Sequence, residues 1–531
     1  MKNKQLKLGK MKPQKNKNRA RKYLTYLIIM SFGLVACEDD FLSLYPETSL
    51  SSGLFYKTPT HFDQAILASY EKTRTTVVNG MFMDEMRSDN AFYTQYDADR
   101  GPYLYTEVIA LFLDDQTTGN SIAALYNDLY TGIGRVNTIL SRLETSQLTS
   151  EEKSKVRAEA LFLRAFFYFD LVLHWGSVPL MLEEVTTEDQ AFVANSSINN
   201  IYAQIIADVS EAIQIGMPLA SVFPQSGRAT MGAAKMLRAY AYMTMPNREY
   251  ALAEIDLLEI TQMNYELLAS YVDVFDPAKK NHKESIFEIQ YLDGDGGQHN
   301  DLPWRLIPKC SNNGLLMGVA ANNYSNVSGG WCVPTQEMVD SYEAGDKRLD
   351  ASIAVAEGLL DQSQQFTFQT LKSVVNYKPV TGKGHFYFVK KYYHPPYSHA
   401  SKTGDNFPVY RYSGALLLLA EALVEQGKLT QALPYINQVR NRAGLDDLTQ
   451  VTKIDVVNEM RHELAFENHR WTDIIRNGIA IDIMKRHGED MKKTHGFILP
   501  QAFNVTQEKL IYPFHFRELL VNKQLKQNPG Y

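Results

Sequence analysis

Two tryptophans lie in a stretch of the chain that is rich in glycine, asparagine and serine. The sequence contains four tryptophans, of which Trp304 and Trp331 fall in this stretch. Its other polar and aromatic residues are Asn300, Asp301, Arg305, Asn312, Asn313, Asn322, Asn323, Tyr324 and Asn326. Aromatic rings stack on flat C–H faces and amides hydrogen-bond hydroxyl groups, a combination suited to a saccharide. Trp331, Trp304, Tyr324 and Asn323 are therefore candidate ligand contacts, unless each tryptophan only anchors its loop.

A second group of aromatic and polar residues lies nearer the amino terminus, in a loop between predicted helices. It comprises Asp89, Asn90, Tyr93, Tyr96, Asp97, Arg100, Tyr103 and Tyr105. We take Tyr93, Tyr96, Asp97 and Arg100 as candidate ligand contacts, with tyrosines packed beneath the loop as the alternative. The substitutions Trp331→Ala and Tyr96→Ala are expected to weaken binding without unfolding the protein.

Patterns typical of enzymes are weak in this sequence. Residues 462–469 contain two histidines seven positions apart, whereas a zincin helix needs them four apart so that both face one metal. There is no GxSxG or P-loop pattern. Among 60 acidic residues a glycosidase-like pair of carboxylates stays open, but nothing singles one out. The sequence therefore predicts that the protein is not an enzyme.

Metal and disulfide chemistry are equally sparse. Residues 293–297 read DGDGG, yet a calcium loop needs glycine at its sixth position, where Gln298 stands. A flexible turn is the favoured interpretation, Ca²⁺ binding is the alternative, and no other metal or cofactor is predicted. Cys310 and Cys332 could form a disulfide outside the cytoplasm, but sequence does not tell whether their Cβ atoms meet.

Four charged residues recur at helical spacing near the carboxyl terminus. Glu459, Glu463, Glu467 and Arg470 would share one face of a helix over residues 453–476. We predict that they form a stripe of ion pairs with neighbouring helices, a structural and not a catalytic role.

The first 36 residues read as an export signal. Residues 1–22 contain ten Lys or Arg and no acid, and residues 23–36 are mostly apolar but too short to span a bilayer. The run ends in Leu-Val-Ala before Cys37, which looks like a bacterial lipobox, so Cys37 is the predicted lipidation site. The acids at positions 38–40 resemble a tag for the outer face of the outer membrane. We expect a lipid-anchored, surface-exposed protein, starting at Met1 or Met11.

The charge balance argues against two kinds of polyanionic partner. After Cys37 the chain keeps 44 Lys and Arg against 60 Asp and Glu, a net charge of −16. Nucleic acids and anionic lipid surfaces attract a positive face, so neither is an expected partner.

The elements that must position these residues are mostly helices. Apolar residues at helical spacing predict helices over residues 125–143, 151–175, 201–215, 230–243, 410–426, 429–443 and 453–476. Ser150 is the expected cap of the second helix, and small residues at the contacts suggest stacked hairpins of tetratricopeptide type. Residues 285–291 and 385–393 read as short strands. We predict an all-α scaffold at about 50–280 and 408–531, with a large irregular loop lobe at about 285–407.

Several segments together resemble the SusD/RagB family of outer-membrane lipoproteins. These are residues 159–180, 227–230, 411–422, 459–471 (EMRHELAFENHRW, against a family pattern ERRxELAFEGHRW) and the terminus 522–531. They occur in family order from the lipobox to the last residue, with departures at Ser413, Gly414, Met460 and Asn468. The motifs also contain Trp175 and Trp471, which the resemblance therefore assigns to the core.

The resemblance implies a single domain over residues 37–531 with a tetratricopeptide-like fold. It further implies a surface protein that captures an oligosaccharide or other nutrient and caps a SusC-type TonB-dependent porin. In that family, loops near Tyr93–Arg100 also border the ligand site. Two other hypotheses stay open, a structural lipoprotein that binds only its partner and a glycan-degrading enzyme. The identity of the nutrient is not readable from the sequence.

Overall fold

Long helices with one apolar face make up the first half of the protein. The structure, a computed structural model, describes residues 55–95, 104–294, 296–319 and 329–531. The helices before residue 262 are α1 (Pro59–Tyr70), α2 (Thr75–Gly80), α3 (Leu104–Ala110), α4 (Ser121–Thr145), α5 (Ser150–Trp175), α6 (Glu188–Ala191), α7 (Ile198–Ile215), α8 (Met231–Thr244) and α9 (Tyr250–Thr261). A 3₁₀ turn at Glu71–Arg74 precedes α2, and a π-helical turn at Met81–Glu85 follows it.

The start of α5 shows how local sequence sets a helix boundary. Its cap is Thr149 and not Ser150, which corrects the sequence prediction by one residue. The Thr149 hydroxyl accepts a hydrogen bond from the Glu152 amide at 3.3 Å, and the Glu152 carboxylate accepts one from the Thr149 amide at 2.8 Å. This reciprocal capping box satisfies two amides that have no partner within the helix. The helix ends at Gly176, which has a φ of 66°.

The second half of the protein contains shorter helices. They are α10 (Leu302–Leu306), α11 (Asn313–Met317), α12 (Gln336–Ser341), α13 (Lys347–Ser352), α14 (Tyr412–Glu425), α15 (Leu429–Ala443), α16 (Lys453–Glu463), α17 (Arg470–Arg476), α18 (Ala480–Thr494) and α19 (Phe516–Val521). Short 3₁₀ turns lie at Tyr271–Phe275 and Glu508–Leu510.

The long helices stack one upon the next in the manner of helical hairpins. In turn, α4 packs on α5, α5 on α7, α7 on α8 and α8 on α9. Helix α9 then packs on α14, which also contacts α15 and α16. Since α9 and α14 pack on each other, the helical stack is continuous in space although 150 residues separate these two helices in the sequence. The predicted all-α, tetratricopeptide-like scaffold is confirmed.

Short antiparallel strands occupy the lobe and its edges. They are β1 (Ala91–Phe92), β2 (Ser285–Ile289), β3 (Val333–Pro334), β4 (Ile353–Leu360), β5 (Phe366–Ser373), β6 (Gly384–Val389) and β7 (Phe407–Arg411). Strand β1 pairs with β3, β2 pairs with β7, and β4 lies between β5 and β6 in a three-stranded sheet. The predicted strand at 385–393 thus ends at Val389, and the predicted helix at 410–426 begins after β7.

The lobe has an apolar core of its own. The sequence analysis predicted irregular loops here and missed this core. Trp304, Ile307 and Met317 pack there against sheet residues such as Phe366 and Phe388. Strand β4 escaped prediction because it opens with a fully buried apolar run, which has no alternating pattern to mark it. Strand β5 does alternate, with Phe366 and Phe368 buried and Thr367 and Gln369 exposed, and the sequence reading overlooked this short signal.

The predicted helix over residues 453–476 is interrupted. Helix α16 ends at Glu463 and α17 begins at Arg470, with Phe466 and Asn468 at φ values of 65° and 61° in the intervening turn. The turn is held because the Asn468 amide donates to Glu85 Oε1 at 3.0 Å and its side chain donates to two carbonyls of α2. The four charged residues at 459–470 therefore do not share one helix face, although all are buried in ion pairs.

Those ion pairs join the lobe to the scaffold. Lys391 in the lobe contacts Glu467 at 2.7 Å. Arg411, at the end of β7 where the chain leaves the lobe, contacts Glu284, Glu463 and the same Glu467 at 2.7–2.8 Å, and all of these side chains are at most 1% exposed. Arg348 in the lobe likewise meets Glu459 at 2.6 Å. Removing one partner of a buried pair leaves an uncompensated charge, so these contacts fix the position of the lobe.

None of the described helices combines the length and the apolarity that crossing a bilayer requires.

Candidate functional site

The two groups of residues singled out in the sequence meet at a short ribbon. Strand β1 pairs with β3, so that Ala91 lies opposite Pro334 and Phe92 opposite Val333. The Thr94 amide donates to the Gly330 carbonyl at 2.8 Å, and the Thr335 amide donates to the Asn90 carbonyl at 3.0 Å. The ribbon thus places Tyr93 beside Trp331, with 6.4 Å between ring centroids.

A buried ion pair anchors the ribbon to the scaffold. Both Asp89 oxygens accept hydrogen bonds from Arg470, at 2.7 and 2.8 Å, and Arg461 lies 3.0 Å from the same carboxylate. Arg461 also donates to the Asn90 side chain at 2.9 Å. Burial acts to raise the pKa of Asp89, but the two guanidinium groups hold it well below its usual value. Asp89 and Asn90 therefore position the ribbon from below.

Beside the ribbon lies a cleft of about 860 Å³. The ribbon, the start of α12, strand β6, the end of α18 and the segment after α18 form its walls. Its lining residues are Phe92, Tyr93, Thr94, Gln95, Val333, Pro334, Thr335, Gln336, Glu337, His385, Phe386, Tyr387, His487, Asp490, Met491, Thr494, His495, Gly496 and Phe497. Its volume is in the range of pockets that hold small ligands.

Aromatic rings cover much of this cleft. Phe92 stacks on Tyr93 with centroids 4.3 Å apart, and Phe497 lies 6.0 Å from Tyr93 and 5.5 Å from His495. His495 and Phe497 are half-buried, as is Tyr387 on the β6 wall, so that part of each ring is open. Several partly open ring faces on two walls suit a flat ligand with apolar faces.

Hydrogen-bonding groups stand next to these rings. The Tyr387 hydroxyl donates to Gln336 Oε1 at 3.1 Å, and burial raises the pKa of Tyr387, so the hydroxyl stays protonated at neutral pH. The Glu337 carboxylate accepts a hydrogen bond from His487 Nδ1 at 3.0 Å. Burial tends to raise the pKa of Glu337, but His487 and Arg461 keep it below its usual value. The cleft thus offers amide, hydroxyl and carboxylate groups to a polyhydroxylated ligand.

Both tryptophans that the sequence offered as candidate ligand contacts are buried. Trp331 is only 8% exposed and packs edge-on against Phe82 at 5.5 Å, beneath Tyr93. Trp304 is 7% exposed and belongs to the apolar core of the lobe. The alternative given above, that each tryptophan anchors its loop, fits this burial. Of the predicted contacts, Tyr93 lines the cleft.

The other predicted residues lie outside the described part of the chain. These are Tyr96, Asp97, Arg100, Asn323, Tyr324 and the lipidation site Cys37.

Sequence reasoning missed several lining residues, namely His385, Tyr387, Gln336, His495 and Phe497. One signal was present for the first two, because residues 385–393 were predicted as a strand and residues two apart share a strand face. His495 and Phe497 follow the end of α18, where no pattern in the sequence indicates a partner.

The structure also places the residues that suggested a zincin helix, a disulfide and a calcium loop. His462 is buried, stacks on Tyr342 at 4.5 Å and contacts Ser341 at 3.0 Å. Cys310 and Cys332 are both free and buried, and burial raises the pKa of the Cys310 thiol to about 12. Next to the DGDGG segment, the Leu292 amide donates to the Gln298 carbonyl at 2.7 Å, which closes a turn.

Comparison with known proteins links the chain to one family. A family model described as "SusD family" matches residues 283–531, and a second, described as "Starch-binding associating with outer membrane", matches residues 40–234. "SusD-like protein P25" of Formosa agariphila is 25% identical over 95% of this chain and 98% of its own length. "Starch-binding protein SusD" of Bacteroides thetaiotaomicron is 22% identical over 73% of this chain and 75% of its own.

Solved structures agree with this result. A "Laminarin binding SusD-like protein" is 25% identical, with a TM-score of 0.71 over 90% of this chain and 100% of its own. "Surface glycan-binding protein A" of Bacteroides thetaiotaomicron in complex with laminarihexaose is 21% identical, with a TM-score of 0.69 over 88% of this chain and 99% of its own. The latter likeness concerns the fold alone.

Proposed function

This chain belongs to the SusD family, and on that premise we propose that it binds a glycan at the cell surface and delivers it to a SusC-type TonB-dependent porin. The protein performs no chemistry on its ligand. Binding raises the local concentration of the glycan next to the transporter.

The cleft beside the ribbon carries this proposal. Partly open rings of Tyr387, His495 and Phe497 stand next to the amide of Gln336 and the hydroxyl of Tyr387. A pyranose ring presents an apolar C–H face to such rings and hydroxyls to such polar groups. The printed names of relatives, which mention starch, laminarin and surface glycans, support the same ligand class.

Sequence features outside the described residues support the surface location. The lipobox at Cys37 and the acids that follow it fit an outer-membrane lipoprotein, and one matching family model is described as associating with the outer membrane. We therefore propose a lipid anchor at Cys37 on the outer face of that membrane. The SusC-type porin is proposed as the partner because membership of the SusD family implies it.

Binding can be tested with the soluble chain that starts after Cys37, on a glycan array followed by calorimetry. Tyr387→Ala and Phe497→Ala are each expected to weaken the affinity for an array hit by about tenfold, since each removes one stacking ring. Tyr435→Ala is the matched control, because Tyr435 is a half-buried tyrosine on α15 outside the cleft. Unchanged affinity in both cleft variants would refute the site.

The partner and the anchor need the full-length protein in its own outer membrane. Affinity capture is expected to bring down a TonB-dependent porin, and Cys37→Ala is expected to move the protein from the membrane to the soluble fraction. Capture of the porin together with a blank glycan array would instead favour the partner-only hypothesis. Failure to capture any porin would contradict the delivery role.

A further inference from the structure

The charged residues of the cleft have one sign. Among its described lining residues, the acids are Glu337 and Asp490, and there is no lysine or arginine. Asp490 is exposed at the mouth on α18, and Glu337 is partly exposed, with 34% of its side chain accessible. A ligand that enters the cleft therefore meets carboxylates on the protein.

Among the described residues, three cations beside the cleft stand outside its lining and are paired with acids. Arg461 is directed to Asp89 and Asn90, 3.0 and 2.9 Å away. Lys493 lies 2.8 Å from Asp490, and Arg486 lies 3.7 Å from Glu337. Both of these side chains are mostly exposed, where solvent screens their charge. They neutralise part of the acidic charge, and neither side chain lines the cleft.

Among the histidines of the lining, His495 is disfavoured as a source of positive charge. Burial, together with the neighbouring His487, keeps the pKa of His495 below its ordinary value. The chain after Cys37 is itself strongly acidic, so the long-range field also disfavours an anion. Recognition of uronates or sulfate esters in proteins relies on arginine and lysine, which pair with such groups directly.

We infer that this cleft takes uncharged oligosaccharides and rejects uronate-rich or sulfated ones. The inference rests on the proposed function, because it concerns the ligand of the same site. It names the ligand class that the lining favours: neutral sugar rings that stack on Tyr387 and Phe497 while their hydroxyls meet Gln336 and Glu337.

The test is an array that carries neutral oligosaccharides beside their oxidised counterparts, in which each C6 hydroxymethyl group is a carboxylate; laminarihexaose and its C6-oxidised form make one such pair. Calorimetry then compares the members of every pair that gives a hit. The carboxylated member is expected to bind at least about tenfold more weakly at low salt, and the gap is expected to narrow as added salt screens the repulsion.

Substitutions of the two acids in the cleft test whether they cause the weaker binding of carboxylated oligosaccharides. Asp490→Asn is expected to reduce the difference in affinity between the neutral and the carboxylated oligosaccharide. Adding Glu337→Gln is expected to reduce that difference further, to about threefold in the double variant. Glu489→Gln is the matched control, because Glu489 is the exposed neighbour of Asp490 on α18 and does not line the cleft. It should leave the gap unchanged.

The outcomes separate the inference from the proposed function. Equal or tighter binding of the carboxylated member, or an affinity difference that stays as large in the double variant as in the wild type, would overturn the inference while leaving glycan binding intact. A blank array for both members of every pair would refute the proposed function, and the inference with it.

Discussion

At the residue scale, Trp331 shows how burial changes the meaning of a side chain. An indole in a loop rich in asparagine suggests a binding platform, but this one lies between Phe82 and Tyr93 with 8% of its surface exposed. Its contribution to the cleft is then to hold Tyr93 in place.

Trp331→Ala is accordingly expected to lower the free energy of unfolding by about 3–5 kcal/mol, the usual cost of removing a large buried side chain. Urea denaturation of the wild type and the variant measures this, and Trp331→Phe should lose less. A variant with wild-type stability and lost glycan binding would instead indicate that the indole contacts the ligand directly, as the sequence alone suggested.

The two cysteines of the lobe make a second prediction at this scale. Cys310 and Cys332 are 2% and 1% exposed, and burial raises the pKa of both thiols, that of Cys310 to about 12. The thiolate is the reactive form, so neither should react with a disulfide reagent in the native protein at pH 8. Both should react after unfolding of the soluble chain that starts after Cys37. Rapid labelling of the native protein would contradict this placement.

At the scale of elements, two glycines on α4 separate packing from helix propensity. A Cβ at Gly132 would lie 2.5 Å from the Phe167 ring on α5, whereas a Cβ at Gly134 would meet nothing within 4 Å. The close approach of the two helices therefore requires glycine at the first position and not at the second.

Gly132→Ala is expected to destabilise the protein by about 1–3 kcal/mol through overpacking against α5. Gly134→Ala, two residues away on the same helix, should stabilise it by about 0.5–1 kcal/mol because alanine loses less backbone entropy. Denaturation midpoints of the two variants give the comparison. If both variants became more stable, or both less stable, helix propensity and not the contact with Phe167 would determine the effect of Gly132→Ala.

At the scale of the whole molecule, buried charges connect parts that are distant in sequence. His174 of α5 contacts Asp84 of the π turn at 3.1 Å and the Asp170 carbonyl at 2.8 Å. Burial alone would lower the pKa of His174, but Asp84 and Asp170 raise it from 6.5 to about 9. The folded protein therefore holds this proton more tightly than the unfolded chain does.

A raised pKa of this kind stabilises the fold fully below pH 6.5, and the contribution is lost as the pH rises towards 9. The shift corresponds to about 3 kcal/mol at most. Lys391, whose pKa burial lowers to about 8, changes stability in the opposite direction above that pH. The measurement is therefore the difference between the wild type and His174→Gln, whose stability should fall less from pH 6.5 to 9. Parallel profiles would contradict the assignment.

Much of the scaffold could be predicted because the position of a helix depends mostly on residues that are close together in the sequence. Apolar spacing and caps placed α5 and α15 to within a residue, and motifs in order along the whole chain indicated the family. The break after Glu463 could not be predicted in this way, since it depends on Asn468 bonding to Glu85 and to α2, almost 400 residues earlier.

The sequence by itself determined an all-α scaffold, the family, and the expectation of an exported glycan-binding protein. Only the tertiary structure decided where the cleft lies. Tyr93, Tyr387 and Phe497 come from three segments, the first and last of which are 404 residues apart. They meet because β1 pairs with β3 and because buried arginines hold that ribbon to the scaffold. Such pairings depend on long-range packing and on which side chains lose contact with water, and local residue patterns carry no record of either.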